Sequence, residues 1–150
     1  MVRSGIAIYR IDPINMLKNK LKPVMHLKAF VVLKKKIMKG ESVGYNQTYI
    51  ANKDFELSII QAGYADGIPI ELSNCGYVIW EEKKIKMVGK VSMDLFGVDS
   101  TGTGLKVGDI VSVWGNDLNK VEHLSKKIDK SPYTFLTGIS KRVKKNYINE

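Results

Sequence analysis

The sequence predicts a mostly β domain, a compact β-barrel or sandwich with one short helix. Three observations support this fold class: short stretches of alternating apolar and polar residues, glycine-marked turns between them, and one segment with helical spacing. The chain has 150 residues and is 44% hydrophobic, which is enough for the core of one ordinary domain. Repeated short strands of this kind are typical of antiparallel barrels and sandwiches.

The beginning of the chain resembles a connection more than a domain. Residues 1–13 contain what looks like a strand end and a loop, and Asp12-Pro13 then stops regular structure. Residues 14–22 form a short polar linker. We expect residues 1–13 to be the end of a larger preceding unit. We expect residues 23–150 to be the β-rich domain proper and to fold on its own, because domain boundaries lie in such stretches.

Strand spacing begins after Pro23. Leu27, Ala29, Val31 and Leu33 alternate with His26, Lys28, Phe30 and Val32. Later stretches with the same character cover residues 55–62, 77–80, 85–91 and 107–115. Glu81 to Lys84 form a polar hairpin tip between the second and third of these stretches.

One helix is predicted near the carboxyl end. Its apolar positions fall on one face: Val121, Leu124 and Ile128. Asp117 or Asn119 can cap its beginning, and it ends at Ser131-Pro132.

The charge suggests a polyanion partner, but its makeup argues against one. The net charge is +9, yet only three of the 24 basic residues are arginine, the residue favoured for contacts with phosphates and bases. A lysine-rich surface more often reflects a solvated face. We therefore expect no nucleic-acid partner, and keep a stand-alone basic β-barrel that binds RNA or another polyanion as the alternative.

The cysteine count and the lengths of the apolar runs indicate the cellular compartment. Cys75 is the only cysteine, which excludes an internal disulfide and gives no sign of a metal cluster. No apolar run approaches the ~20 residues that a membrane-spanning helix needs. We expect a cytoplasmic protein with no metal and no membrane contact.

Four short stretches are too specific for structure alone. Two of them place a tyrosine directly after a glycine, which combines a flexible backbone with a rigid hydroxyl-bearing side chain. Each pair by itself is an ordinary turn-plus-core feature of a β protein, but their order and spacing together are not. The stretches are Arg3-Ser4-Gly5-Ile6, Gly44 to Tyr49, Gly63-Tyr64-Ala65-Asp66-Gly67, and Gly89 to Asp94.

Together these stretches resemble the C-terminal domain of bacterial alanine racemases over about residues 22–148. The family pattern has Gly-Tyr-Gly-x-Thr-Tyr, Gly-Tyr-Ala-Asp-Gly, Gly-x-x-x-Met-Asp, a Gly-Asp-x-Val strand, and a closing Tyr and Arg-Val. All of these appear here in that order, with Asn46 at a usual glycine and Lys144-Lys145 where Pro-Arg is common. Residues 1–9 resemble the last strand of the family's (β/α)₈ barrel, which binds pyridoxal phosphate (PLP), and Arg10 stands at a usual glycine.

The resemblance implies a PLP-dependent isomerase that interconverts L- and D-alanine. Racemisation removes the α-proton from one face and returns it on the other, so it needs two acid–base groups. In this family one is the lysine that carries PLP and the other is a tyrosine, which aligns with Tyr45. None of the lysines in this chain stands in a matching motif.

The resemblance also assigns residues to the cofactor. Arg3 aligns with the arginine that hydrogen-bonds the pyridine nitrogen of PLP, and an arginine keeps that nitrogen largely unprotonated because it does not give up its own proton. Gly5 and Ile6 align with the backbone amides that hold the phosphate, and Tyr133 with a tyrosine whose hydroxyl reaches it. On residues alone, Arg3 would be a surface charge and Tyr133 a strand aromatic after Pro132.

Three more residues align with the substrate side of the site. Tyr64 corresponds to a tyrosine in the substrate entrance, and Met93 and Asp94 to residues beside the substrate carboxylate and entrance. A narrow entrance would favour alanine over bulkier amino acids. Asp66 has a plainer interpretation, since Asp-Gly is a common turn pair.

In this family the site is shared in a homodimer, so Tyr45 would act on the PLP-binding barrel of a partner subunit. Arg3, Gly5 and Ile6 would then belong to the opposite site, and residues 1–150 alone would catalyse little or nothing. Two further hypotheses stay open: a non-catalytic interaction module that kept the dimerising surface, and a racemase for serine or another amino acid.

Overall fold

The computed structural model describes residues 5–9, 11 and 23–148 of the chain. Within them lie eight strands and two helices. Their bounds are β1 (Leu27–Ile37), β2 (Ser42–Val43), β3 (Tyr49–Ile50), β4 (Phe55–Ile60), β5 (Tyr77–Trp80), β6 (Lys83–Val88), β7 (Phe96–Asp99), β8 (Ile110–Trp114), α1 (Val121–Lys127) and α2 (Pro132–Thr137).

Six strands form a closed antiparallel barrel in the order β1-β4-β7-β6-β5-β8. The first half of β1 pairs with β8 and the second half with β4, which closes the ring. Closure leaves the barrel without an unpaired strand edge. The mostly β class predicted from the sequence is confirmed, and the architecture is the barrel rather than the sandwich.

The apolar alternation of β1 holds only in its first half. Leu27, Ala29 and Val31 are buried in the core. Between Val31 and Leu33 the register against β4 shifts, and Leu33 is left exposed. An irregularity of this kind changes which face of the sheet the following side chains occupy. Leu33 therefore does not continue the buried row.

The hairpin of β5 and β6 is tighter than the sequence predicts. Trp80 pairs with Lys83, so only Glu81 and Glu82 form the loop and Lys83-Lys84 already belong to β6. Glu81 and Glu82 have φ values of 44° and 64°. Two positive φ angles give a two-residue loop the twist that suits antiparallel strands.

The prediction of one short helix is wrong, because α2 follows α1 directly. Ser131 begins α2: its hydroxyl accepts a hydrogen bond from the Tyr133 amide, and Pro132 fills the first turn. The sequence predicts the end of a helix at these two residues, but proline is equally suited to start one. Tyr133 therefore lies in a helix and not in a strand.

The predicted caps of α1 are also wrong. The helix begins after Lys120 without a side-chain cap. Asn119 is instead buried, where its amide nitrogen donates to the Ser112 carbonyl at 2.8 Å and its oxygen accepts from the Asn116 amide at 3.0 Å. These bonds tie the turn before α1 to β8.

Residues at the amino end join the core of the barrel. Gly5–Tyr9 form a 3₁₀ turn, where the sequence indicated a strand end. A strand needs a neighbour for its backbone hydrogen bonds, and a 3₁₀ turn supplies bonds within itself. Ile6 and Ile11 are buried and belong to the same apolar cluster as Trp114 and Phe135.

None of the helices in the described ranges is long and apolar enough to cross a membrane.

The stability of the core should depend on the contact between β8 and α2. Trp114 and Phe135 are fully buried and meet edge to face, with ring centroids 5.2 Å apart. We predict that Phe135→Ala lowers the free energy of unfolding by about 3–5 kcal/mol, the usual loss for truncating a buried aromatic ring. Urea unfolding of the 1–150 chain would measure it. Tyr147→Ala is the control, since Tyr147 is 90% exposed; a loss below about 1 kcal/mol for Phe135→Ala would contradict the packing described.

Candidate functional site

Tyr45 lies at the tip of the small hairpin formed by β2 and β3. Residues Tyr45–Gln47 form a 3₁₀ turn between the two strands, and the Tyr45 side chain is 67% exposed. Asn46 has a φ of 59°, in the left-handed region. Glycine is the easiest residue there and asparagine is among the best tolerated of the others. The backbone thus explains how asparagine replaces the usual glycine of the resembling motif.

Residues 44–48, which we call the Tyr45 loop, rest against the stretch that begins at Gly89. A Cβ atom added at Gly44 would lie 2.7 Å from the Lys90 amide nitrogen, and Gly44 itself has a φ of 79°. Any other residue at position 44 would therefore meet backbone as well as strain. This contact brings two of the four motif stretches, residues 44–49 and 89–94, side by side.

The stretches at Gly63 and Ser92 are joined through their backbones. The Tyr64 amide donates to the Ser92 carbonyl at 2.9 Å, and the Ala65 amide to the Met93 carbonyl at 3.0 Å. A Cβ atom at Gly63 would collide with the Ser92 and Met93 carbonyl groups. The loops at 63–67 and 92–95 are therefore held as one unit, which we call the paired loops.

The paired loops present the predicted substrate-side residues to the outside. Tyr64 and Met93 are 47% and 52% exposed. Asp94 is exposed as well, next to Met93. The structure thus brings these three residues together, with the Tyr45 loop adjacent to the same segment of chain.

Arg142 fastens the paired loops to the carboxyl-terminal segment. Its Nε donates to Asp66 Oδ1 at 2.7 Å and its Nη2 to Asp66 Oδ2 at 2.9 Å. Nη2 also donates to Asp94 Oδ1 at 2.6 Å. A planar guanidinium matches this geometry and a lysine does not. Arg142 was overlooked as a site residue; the signal was its place in the closing Arg-Val of the resembling pattern.

The same contacts shift the titration of Asp66. Partial burial of the Asp66 carboxyl raises its pKa, but the Arg142 hydrogen bonds and the Gly63 amide outweigh burial and leave the pKa below its usual range. Hydrogen bonds to Asp66, then to Asp94, raise the pKa of Arg142. Asp66 therefore does more than form a turn: it accepts from the Gly63 amide at 2.8 Å and pairs with Arg142 as a carboxylate.

A second group of predicted residues meets at the amino end. A Cβ atom at Gly5 would lie 3.2 Å from the Tyr133 hydroxyl oxygen, and Gly5 has a φ of 53°. Gly5 and Ile6 begin a 3₁₀ turn, where the first backbone N–H groups have no acceptor within the turn. The Tyr133 hydroxyl therefore lies beside the start of this turn. Arg3 lies outside the described residues.

Among the described residues, no hydrogen bond or ion pair joins Tyr45 with Gly5 or Tyr133. The His, Cys, Asp and Glu side chains of the described residues form no group of three able to hold a metal ion.

Comparison with known proteins gives one consistent result. A sequence model of the alanine racemase C-terminal domain matches residues 24–147. The alanine racemase of Vesicomyosocius okutanii is 40% identical over 95% of this chain and 40% of its own length. That of Aquifex pyrophilus is 32% identical over 99% of this chain and 43% of its own length.

Solved structures agree with the sequence comparison. The alanine racemase of Bartonella henselae, with covalently bound pyridoxal phosphate, superposes with a TM-score of 0.90 at 36% identity, covering 96% of this chain and 40% of that one. The biosynthetic alanine racemase of Pseudomonas aeruginosa gives a TM-score of 0.90 at 31% identity, covering 97% and 41%. This chain spans about two fifths of the length of these relatives.

The barrel, the order of the motif stretches and the extent of these matches lead to one conclusion: the chain belongs to the alanine racemase family and corresponds to its C-terminal domain.

Proposed function

We propose that this chain supplies half of each active site of a PLP-dependent racemase that interconverts L- and D-alanine. The observation that carries the proposal is the convergence of the Tyr45 loop and the paired loops, which sets the exposed phenol of Tyr45 beside the exposed surface of Tyr64 and Met93. Membership of the family supports the reaction. The second acid–base group, the lysine that carries PLP, belongs to a barrel outside these residues.

Tyr45 is the proposed acid–base residue for one face of the substrate. As a phenolate, its Oη takes the proton from the α-carbon of one alanine enantiomer and becomes a phenol; in the reverse direction the phenol returns a proton to the same face of that carbon. The ring projects from its own chain with 67% of its surface exposed, so it can reach into a neighbouring molecule. A hydroxyl that exchanges a proton must come within hydrogen-bond distance of the carbon that loses it.

Gly5, Ile6 and Tyr133 are the proposed phosphate-binding residues, with Arg3 at the pyridine nitrogen. Two observations support this role: Gly5 and Ile6 begin a 3₁₀ turn, whose first backbone N–H groups have no acceptor within the turn, and the Tyr133 hydroxyl lies next to Gly5. When bound, PLP supplies the electron sink for the negative charge left at the α-carbon. Arg3 would keep its own proton and leave the pyridine nitrogen largely unprotonated, which would weaken the electron sink.

The site is shared between two subunits in this proposal. Tyr45, Tyr64 and Met93 point away from their own chain, as residues that complete a partner's site should. The same chain contributes Gly5, Ile6 and Tyr133 to the other site. The protein is therefore proposed to be a homodimer, and residues 1–150 without a barrel to be inactive.

We also propose the domain boundaries: residues 1–13 as the end of a preceding barrel, 14–22 as linker and 23–150 as the C-terminal domain. The burial of Ile6 and Ile11 in the core indicates that the amino-terminal residues also stabilise this domain. A cytoplasmic location and the choice of alanine over another small amino acid are likewise proposed from the family. The polyanion-binding alternative gains no support from the comparisons.

Tyr45→Phe should abolish most of the activity. The test joins residues 1–150 to the amino-terminal part of the 40% identical relative and measures conversion of L- to D-alanine with PLP. Loss of one acid–base group should lower kcat by about 10²–10⁴-fold. Tyr147→Phe is the control because Tyr147 is 90% exposed and outside the motifs. Full activity of Tyr45→Phe, or enzyme-like rates from residues 1–150 alone, would overturn the proposal.

Tyr133→Phe should weaken cofactor binding without removing activity at saturating PLP. Losing one hydrogen bond to a charged phosphate costs about 1.5–3 kcal/mol, so the Kd for PLP should rise by about tenfold or more. Titration of the cofactor-free fusion protein by absorbance measures the Kd, again with Tyr147→Phe as control. An unchanged Kd would mean that Tyr133 does not contact the phosphate.

Asp66→Asn should destabilise the protein at neutral pH but not at acid pH. Because the pKa of Asp66 is lowered on folding, its stabilisation is complete above the usual aspartate pKa of about 4 and is lost as pH falls through the lowered value. Urea unfolding of the unaltered chain and of Asp66→Asn between pH 7 and pH 2.5 should therefore give curves that converge. Asp129→Asn serves as control, since Asp129 is exposed in the turn after α1. A constant difference across this range would show that the Arg142 pairing does not depend on the Asp66 charge.

A further inference from the structure

We propose that Asn74 is a positioning residue for Tyr45, bracing the Tyr45 loop from outside. This inference rests on the proposed role of Tyr45. Asn74 lies in the turn before β5, 29 positions along the chain from Tyr45, and its half-buried side chain makes two hydrogen bonds. Its Nδ2 donates to the Thr48 carbonyl at 3.3 Å, and its Oδ1 accepts from the Gly89 amide at 2.7 Å.

The Tyr45 loop needs such a brace because its own contacts are weak. The strands on either side, β2 and β3, are two residues long. The 3₁₀ turn between them contains no buried residue. Two consecutive residues, Asn46 and Gln47, have left-handed backbones with φ values of 59° and 52°. A conformation of this kind costs about 1–2 kcal/mol per residue and persists only where surrounding structure holds it.

The two bonds of Asn74 reach both ends of this loop. Thr48 follows the 3₁₀ turn directly, so the Nδ2 bond holds the loop where it returns to β3. Gly89 lies against Gly44, where the loop begins, so the Oδ1 bond fixes the backbone that supports the other end. Among the described residues, Asn74 is the side chain from outside the loop that forms a hydrogen bond with residues 44–48.

The neighbouring side chain strengthens the support. The Ser73 hydroxyl accepts a hydrogen bond from the Val91 amide at 3.0 Å. The side chains of Asn74 and Ser73 thus accept hydrogen bonds from the amides of Gly89 and Val91, two residues apart, as the carbonyl groups of an adjacent strand would. The same short segment leads into Met93 and Asp94, so the turn at residues 73–74 links the Tyr45 loop to the paired loops.

Asn74 combines two properties that few residues share. Its φ is 60°, a left-handed conformation that asparagine tolerates. Its amide offers a donor and an acceptor at once, and both are used. Asn74→Gly therefore keeps the backbone conformation and removes both bonds. Asn74→Asp keeps an acceptor for the Gly89 amide and loses the donor to Thr48.

The first test follows the loop itself in the 1–150 chain. Asn74→Gly should speed amide hydrogen exchange in the β2–β3 ladder, residues 42–43 and 49–50, by about tenfold or more, as expected when a local opening becomes easier by more than 1.4 kcal/mol. Asn74→Asp should speed exchange in the same ladder and leave Gly89 protected. Asp129→Gly is the matched control, because Asp129 also has a left-handed backbone (φ 51°) and lies in the turn after α1. Unchanged exchange in the β2–β3 ladder of Asn74→Gly would overturn the proposal whatever the activity does.

The second test asks whether Asn74 acts through Tyr45. In the fusion protein, Asn74→Gly should lower kcat by about 10- to 100-fold with little change in KM, since a displacement of about 1 Å can cost that much. In a Tyr45→Phe background the same substitution should have no further effect on kcat, because residues that act through one group are not additive. Multiplication of the two losses would show a merely structural role and overturn the proposal. If Tyr45→Phe alone changes nothing, the proposed function fails, and exchange in the β2–β3 ladder still decides whether Asn74 braces the loop.

Discussion

The paired loops depend on the close approach of two backbone segments, at Gly63 and at Ser92-Met93. Two amide–carbonyl bonds join the loops there, and no side chain fits between them at position 63. Because the loops are held by main chain, the side chains of Tyr64 and Met93 are left free to face outward. If packed side chains had joined the loops instead, Tyr64 and Met93 would have been buried between them.

Arg142 adds an electrostatic connection between parts of the chain that are far apart in sequence. It lies 76 positions from Asp66 and 48 from Asp94, and it brings the carboxyl-terminal segment against both loops. Exposed ion pairs contribute little when they are isolated. This one is bidentate to a mostly buried carboxylate and shares a donor with a second, which is the arrangement in which a guanidinium contributes most.

The sequence was sufficient for the fold class and insufficient for local detail. Alternation located β1 because the buried residues of its first half occupy one face, but it does not predict the bulge after Val31, whose cause lies in the pairing with β4. The sequence does not predict β2 and β3, because a strand of two residues is too short to show an alternation of apolar and polar side chains. Pro132 was ambiguous because proline ends one helix and starts another equally well.

The candidate site depended on a different kind of information. No physical pattern in the sequence would have selected Tyr45 over the other tyrosines; the resemblance did so, and the loop geometry then supplied a reason for its glycines and asparagines. The partners of Arg142 and Asn74 could not be deduced, because each bond joins turns whose relative placement is fixed only when the barrel closes.

The small hairpin that carries Tyr45 lies outside the ring of six paired strands. Two pairs of residues form its ladder, Ser42 with Ile50 and Val43 with Tyr49, so its own opening costs far less free energy than unfolding of the barrel. On warming, the hairpin should open while the barrel is still intact. If Tyr45 has the proposed role, the upper working temperature of the assembled protein would then be set by a few hydrogen bonds at its surface, and substitutions that raise the melting temperature of the core would leave that limit unchanged.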